Sequence, residues 1–163
     1  MDNQNFTTTL LVHQSPEEVF DAVINVRGWW SEEIEGGTKK LNDEFNYHYK
    51  DVHRSKMKLI EVIPNEKVVW HVIENHFNFT KDKSEWNDTK VSFEISKKDG
   101  KTQLVFTHIG LTPEYECYDI CNDAWSNYIN SSLFSLITEG KGQPNPKEGG
   151  FNAQLVDQWK LEQ

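Results

Sequence analysis

The stretch from Leu104 to Gly140 constrains the fold more than any other part of the chain. An apolar run, Leu104–Ile109, leads into Gly110-Leu111-Thr112-Pro113, which reads as a turn. Beyond it Cys117, Cys121, Trp125, Tyr128, Ile129, Leu133, Leu136 and Ile137 recur at steps of three and four, one apolar stripe on a long helix. A helix of this length that follows a run of strands, rather than joining two of them, packs most economically against one curved antiparallel sheet. The expected class is α+β, with six to seven strands wrapped around a long C-terminal helix. Such a pair tends to enclose a hollow. The leading expectation is therefore a binder of a small hydrophobic or aromatic molecule between sheet and helix.

The strands upstream support this order. Phe6–His13 opens the chain as a strand rich in Thr, Leu and Val. Ser15-Pro16-Glu17-Glu18 carries a helix start: a serine cap, proline at the first position and a glutamate three residues after the cap. Val19, Phe20, Val23 and Ile24 form that helix's apolar side, and Trp29-Trp30 follow. Glu35–Thr38 reads as a turn. In Glu44–Lys50, Phe45, Tyr47 and Tyr49 alternate with Asn46, His48 and Lys50, the signature of a half-buried strand. Ser55–Ile63 and Lys67–Phe77 are further strands, the second apolar on both faces, so its inner face stays open. Asn78–Asp88 is a polar connection that contains Trp86. Thr89–Ser96, a tight turn at Asp99-Gly100 and Thr102–Ile109 close the sheet, with Leu104, Phe106 and His108 toward the helix.

All of this fits one domain over residues 1–140. Residues 141–163 form an extension rich in Pro and Gly at its start, in which Phe151, Leu155 and Trp159 recur at steps of four and can dock on the body or on a partner. The net charge of −9 argues against nucleic acid and anionic membrane surfaces, which need a basic face. No run approaches the eighteen apolar residues of a membrane span, and the opening residues lack a secretory pattern, so a cytoplasmic location is expected. The two cysteines, Cys117 and Cys121, fit the helix stripe as small buried hydrophobes. No His or Cys pair has metal-ligand spacing, so neither a metal nor a cofactor is expected.

The Ser15–Trp30 stretch resembles the first helix of the START-like (helix-grip, SRPBCC) superfamily. Within it the chain is similar to the branch named for the C-terminal domain of the activator of heat-shock-protein-90 ATPase. Glu61–Trp70, Val91-Ser92-Phe93-Glu94-Ile95, Thr107–Leu111 and the helix bearing Ala124-Trp125 and Tyr128 carry the resemblance, which spans roughly Phe6 to Gly140. It implies a helix-grip fold over a cavity. It supplies no shared catalytic motif.

Inward aromatic residues are the candidates for a ligand wall: Trp29, Trp30, Tyr47, Tyr49, Trp70, Phe93, Phe106 and Trp125, with His108 as a polar handle and Trp29-Trp30 near the mouth. Each of these side chains can equally be plain core. No catalytic constellation is visible. Two alternatives stay open: a protein-interaction module that homodimerises or touches a chaperone, and an enzyme with His108 as general acid or base.

Overall fold

The computed structural model describes residues 5–49, 53–77, 81 and 86–145. Phe6–Val12 is β1, and Ser15 starts helix α1, Pro16–Ile24, with a capping box. The Ser15 hydroxyl accepts from the Glu18 amide at 3.1 Å, and the Glu18 carboxylate accepts from the Ser15 amide at 2.9 Å. Val19, Phe20, Ala22 and Val23 form the buried side of α1. A 3-10 turn, Val26–Gly28, brings in the two tryptophans.

Next come β2 (Glu35–Gly36), β3 (Glu44–Tyr49), β4 (His53–Ile63), β5 (Lys67–Phe77), β6 (Lys90–Lys98) and β7 (Lys101–Ile109). They make one antiparallel seven-stranded sheet in the order β1-β7-β6-β5-β4-β3-β2, so the first strand returns to pair with the last. The segment expected as a turn at Glu35–Thr38 contributes a short edge strand through the pairing of Glu35 with Asn46. At the β6–β7 hairpin both Asp99 and Gly100 have positive φ, 53° and 80°, as a tight two-residue turn demands.

Two register shifts lie between β4 and β5. Lys56 pairs with Glu74 but Met57 pairs with Val72, which leaves Ile73 as an extra residue; Ile60 is extra on the other strand. Such bulges bend a sheet and reset its alternation. Along β5 the buried residues are Val68, Val69, Trp70 and Val72, then Asn75 and Phe77, so the alternation that places Val68, Trp70 and Val72 inward passes to Asn75 and Phe77 after Ile73. This settles the face that sequence alone left open.

The helical segment runs from Tyr118 to Glu139. It is α2 (Tyr118–Asn127), a π-helical stretch (Tyr128–Leu133) and α3 (Phe134–Glu139). The widened turns let Tyr128, Ile129, Ser132 and Leu133 all face the interior. Gly140, with φ 82°, ends the helix by donating to the Leu136 carbonyl.

The chain then folds back on the body. Asn145 donates from its amide side chain to the Trp30 carbonyl at 3.1 Å and to the Tyr128 hydroxyl at 2.9 Å. Its backbone N–H also donates to Trp30, and its carbonyl accepts from Glu32. Phe151, Leu155 and Trp159 lie outside the described residues.

Candidate functional site

Between sheet and helix the structure brings the expected aromatic residues together. Trp29, Trp30, Trp70, Phe93, Phe106 and Trp125 are each at most 1% exposed, and Tyr47 is 2%. Trp29 and Trp30 sit in the middle of the assembly rather than at a mouth. Trp30 stacks on Tyr47 (ring centroids 4.4 Å apart) and on Trp70 (5.8 Å), and it meets Trp125 at 5.3 Å. Phe106 contacts Trp125 at 4.7 Å and Phe93 at 5.2 Å. At this level the rings fill the space where a hollow was expected. Tyr49 is buried on the same face of β3, opposite His53.

His108 is wholly buried among these rings, and both of its nitrogens are engaged. The Trp125 indole N–H donates to Nδ1 at 3.0 Å. With that lone pair occupied, Nε2 carries the proton and donates to the Thr89 hydroxyl at 2.8 Å; Thr89 in turn donates to the Trp86 carbonyl at 2.6 Å. Burial, reinforced by the nearby His53, lowers the His108 pKa to about 3. The imidazole is neutral, with no free lone pair for taking a proton from a substrate. The geometry therefore gives no support to the alternative that made His108 a general base.

Four residues that the sequence pattern did not single out, His53, Ser55, Asn75 and Trp86, extend the site. His53 lies at the inward start of β4, its ring framed by Phe77 (4.4 Å), Trp86 (4.8 Å) and Tyr47 (5.1 Å). Its Nε2 sits 2.8 Å from both the Ser55 hydroxyl and the Asn75 carbonyl oxygen, and Ser55 donates to that same oxygen at 2.5 Å. Burial is the main reason its pKa falls to about 3, with Asn75 opposing the shift and His76 adding to it. Trp86, expected on a loop, is 4% exposed and stacks on Trp125 at 5.8 Å.

The polar groups here are unevenly satisfied. Among the described residues, Asn75 Nδ2 and Trp86 Nε1 are buried without a hydrogen-bond partner. Trp30 Nε1 likewise reaches no acceptor at hydrogen-bonding geometry, although the Tyr128 hydroxyl lies close by. All three orphans are N–H donors. Burial pushes the Tyr128 hydroxyl well above its ordinary pKa, with Tyr47 adding to the rise and the Asn145 amide opposing it. Tyr128 is therefore a neutral phenol at any ordinary pH.

Among the described residues no group of three or more His, Cys, Asp or Glu side chains could hold a metal ion. No helix among them is long and apolar enough to cross a membrane. Cys117 and Cys121 are both buried.

No curated protein matches the sequence. Solved structures share the fold. The solution structure of the Aha1 dimer from Colwellia psychrerythraea is 23% identical, with a TM-score of 0.67 over 85% of this chain and 98% of that one. DynU16, a protein from the dynemicin biosynthetic locus, is 12% identical at a TM-score of 0.64, over 86% of this chain and 49% of its own. EF2215 from Enterococcus faecalis, described as a conserved protein of unknown function, is 18% identical at 0.57 and covers all of this chain and 90% of its own. The model of one family matches residues 13–137, from the end of β1 to the last turn of the closing helix. On that match the chain belongs to the Activator of Hsp90 ATPase homolog 1-like protein family.

Proposed function

We propose that the chain binds a small, flat, largely apolar molecule that carries hydrogen-bond acceptors, at the end of the sheet–helix interior bounded by Tyr47, His53, Asn75, Phe77 and Trp86. One observation carries this reading: among the described residues, Asn75 Nδ2 and Trp86 Nε1 are buried N–H donors without acceptors, where His53 and Phe77 meet Trp86 edge to face. A buried donor left unpaired costs about 1–3 kcal/mol. A planar guest with carbonyl or phenol oxygens would relieve that cost while its faces lie against Trp86, Phe77 and Tyr47. Trp29, Trp30, Tyr49, Trp70, Phe93, Phe106, His108 and Trp125 then back the wall. No catalytic role is assigned to any of them.

The test is thermal shift and tryptophan fluorescence against planar aromatic ketones, quinones, fatty acids and sterols. The expected result is that acceptor-bearing planar compounds stabilise the protein, and that Trp86→Phe, which keeps a ring but removes the N–H, weakens them about tenfold. Absence of stabilisation across the panel, or equal binding by Trp86→Phe and Asn75→Leu, would remove the reading.

A second reading is self-association or a chaperone contact. It draws on the Colwellia protein, whose structure is that of a dimer, and on the family's description. Sizing by light scattering across a concentration series tests the dimer, and titration with a purified Hsp90-type ATPase tests the contact.

A further inference from the structure

On the opposite, outward face of the sheet, β3, β4 and β5 form a second concavity of about 310 Å³, lined by Asn46, His48, Arg54, Lys56, Glu74 and His76 together with Tyr47, Ser55 and Asn75, which alternate with them along the strands. The register sets the arrangement. His48 pairs with Arg54, and Arg54 pairs with His76, so one row across three strands presents two imidazoles flanking a guanidinium. The adjacent row is Asn46, Lys56 and Glu74.

Arg54 is the fixed cation of this row, and neither residue directly opposite it on the neighbouring strands is a carboxylate. The chain as a whole carries a net charge of −9, so carboxylates are plentiful, yet Arg54 meets none among the described residues. Two neighbours do face carboxylates: Glu33 lies 3.5 Å from His48 Nε2, and Glu44 lies 3.4 Å from Lys56 Nζ. Arg54 thus presents its planar fork of N–H donors into a hollow whose rim supplies further donors from Asn46 and the imidazoles.

We propose that this outward hollow binds the oxyanion headgroup, carboxylate or phosphate, of a small molecule. Its volume is at the low end of ligand sites, enough for a headgroup and a few carbons. Glu74 on its wall, with Glu33 and Glu44 at its edge, disfavours a polyanion such as nucleic acid and selects a single negative group. Tyr47, Ser55 and Asn75 border both this hollow and the interior, but strand alternation points the six outward side chains to the opposite face of the sheet from theirs.

The test is a 15N–1H NMR titration of the full chain with sodium benzoate, inorganic phosphate and, at matched ionic strength, sodium chloride. Saturable shifts confined to the amides of these six residues are expected with benzoate or phosphate, half-complete in the low millimolar range. Arg54→Gln is expected to weaken them at least tenfold while the rest of the spectrum stays put, and His76→Asn to weaken them less. Which anion saturates identifies the headgroup. Shifts that stay linear, that chloride reproduces, or that survive in Arg54→Gln would overturn the proposal.

Discussion

Trp125 and His108 are joined by a 3.0 Å hydrogen bond in which the indole N–H donates to imidazole Nδ1. The bond ties the closing helix to β7 and fixes the tautomer, so the opposite nitrogen must donate to Thr89. A polar relay thereby crosses an interior otherwise made of rings. Trp125→Phe keeps most of the ring contact with Phe106 and removes the donor. The orphaned Nδ1 should then cost about 1–3 kcal/mol. For a chain of this size that corresponds to a fall in Tm of roughly 2–4 °C per kcal/mol. Urea unfolding of the two proteins measures it directly; equal midpoints would show that the bond contributes nothing.

The same burial dictates how stability responds to acid. In the unfolded chain a histidine takes its proton near its ordinary pKa of 6.5, whereas folded His108 and His53 take theirs only near 3. Between those values the unfolded state binds more protons, so unfolding becomes easier as pH falls, by up to about 1.4 kcal/mol per pH unit for each fully buried imidazole. The stability is fully present above about pH 6.5 and is lost progressively toward pH 3. His53 keeps part of its surface exposed, so its share is smaller. The expected curve of unfolding free energy falls from pH 7 to 4, and His108→Gln flattens it while lowering the plateau. A parallel slope in His108→Gln would assign the acid sensitivity to other groups.

How much of this was legible in the sequence depended on local regularity. Leu104, Phe106 and His108 alternate without interruption along a half-buried strand, so their inward aim could be read directly, as could the α1 cap and the Asp99-Gly100 turn. Lys67–Phe77 could not be resolved, because the extra Ile73 switches the buried positions from Trp70 and Val72 to Asn75 and Phe77. Trp86 stands in a polar stretch with no period to place it. His53 sits just before the point at which the β4 pattern becomes apolar. The clearest signal missed was the pair His53 and Ser55, two apart at the head of a strand and hence on one face. Asn145 carries no periodic signal at all; its partners Trp30 and Tyr128 are 115 and 17 residues away and meet it only through the fold. The candidate aromatic residues are all buried. That they would stack on one another at the centre depends on ring orientations, which no pattern encodes.

The return of the chain over the helix gives a sharper prediction. A Cβ on Gly142 would lie 2.3 Å from the Gly28 carbonyl oxygen and 3.0 Å from that of Ser132, both backbone atoms. Gly142→Ala must therefore shift the tail off the body. That would strain the bond from the Gln143 amide to the Ser132 hydroxyl (2.7 Å) and the Asn145 anchor beyond it. A cost of about 1–3 kcal/mol is expected, typical of forcing a methyl into a packed site. Asn145→Ala should cost a similar amount by leaving the Trp30 carbonyl with fewer donors. Because both act on one attachment, the double variant should lose less than the two single losses combined. Chemical denaturation of the three variants measures this, and strict additivity would mean that Gly142 and Asn145 hold the chain independently.

Gly100 presents the opposite case, a glycine whose surroundings are empty. Nothing lies within 4 Å of a Cβ built there, yet its φ is 80°. Any penalty for a side chain must come from backbone conformation alone, about 1–2 kcal/mol for an L-residue held in the left-handed region. Gly100→Ala should destabilise by that amount, and Gly100→Asn by less, because asparagine enters this region more readily. The hairpin lies at the far end of β6 and β7 from His108 and Thr89, so neither variant should alter tryptophan fluorescence or ligand-induced stabilisation. Equal losses for alanine and asparagine would instead point to a steric or hydrogen-bonding role for this position, contrary to the open space around it.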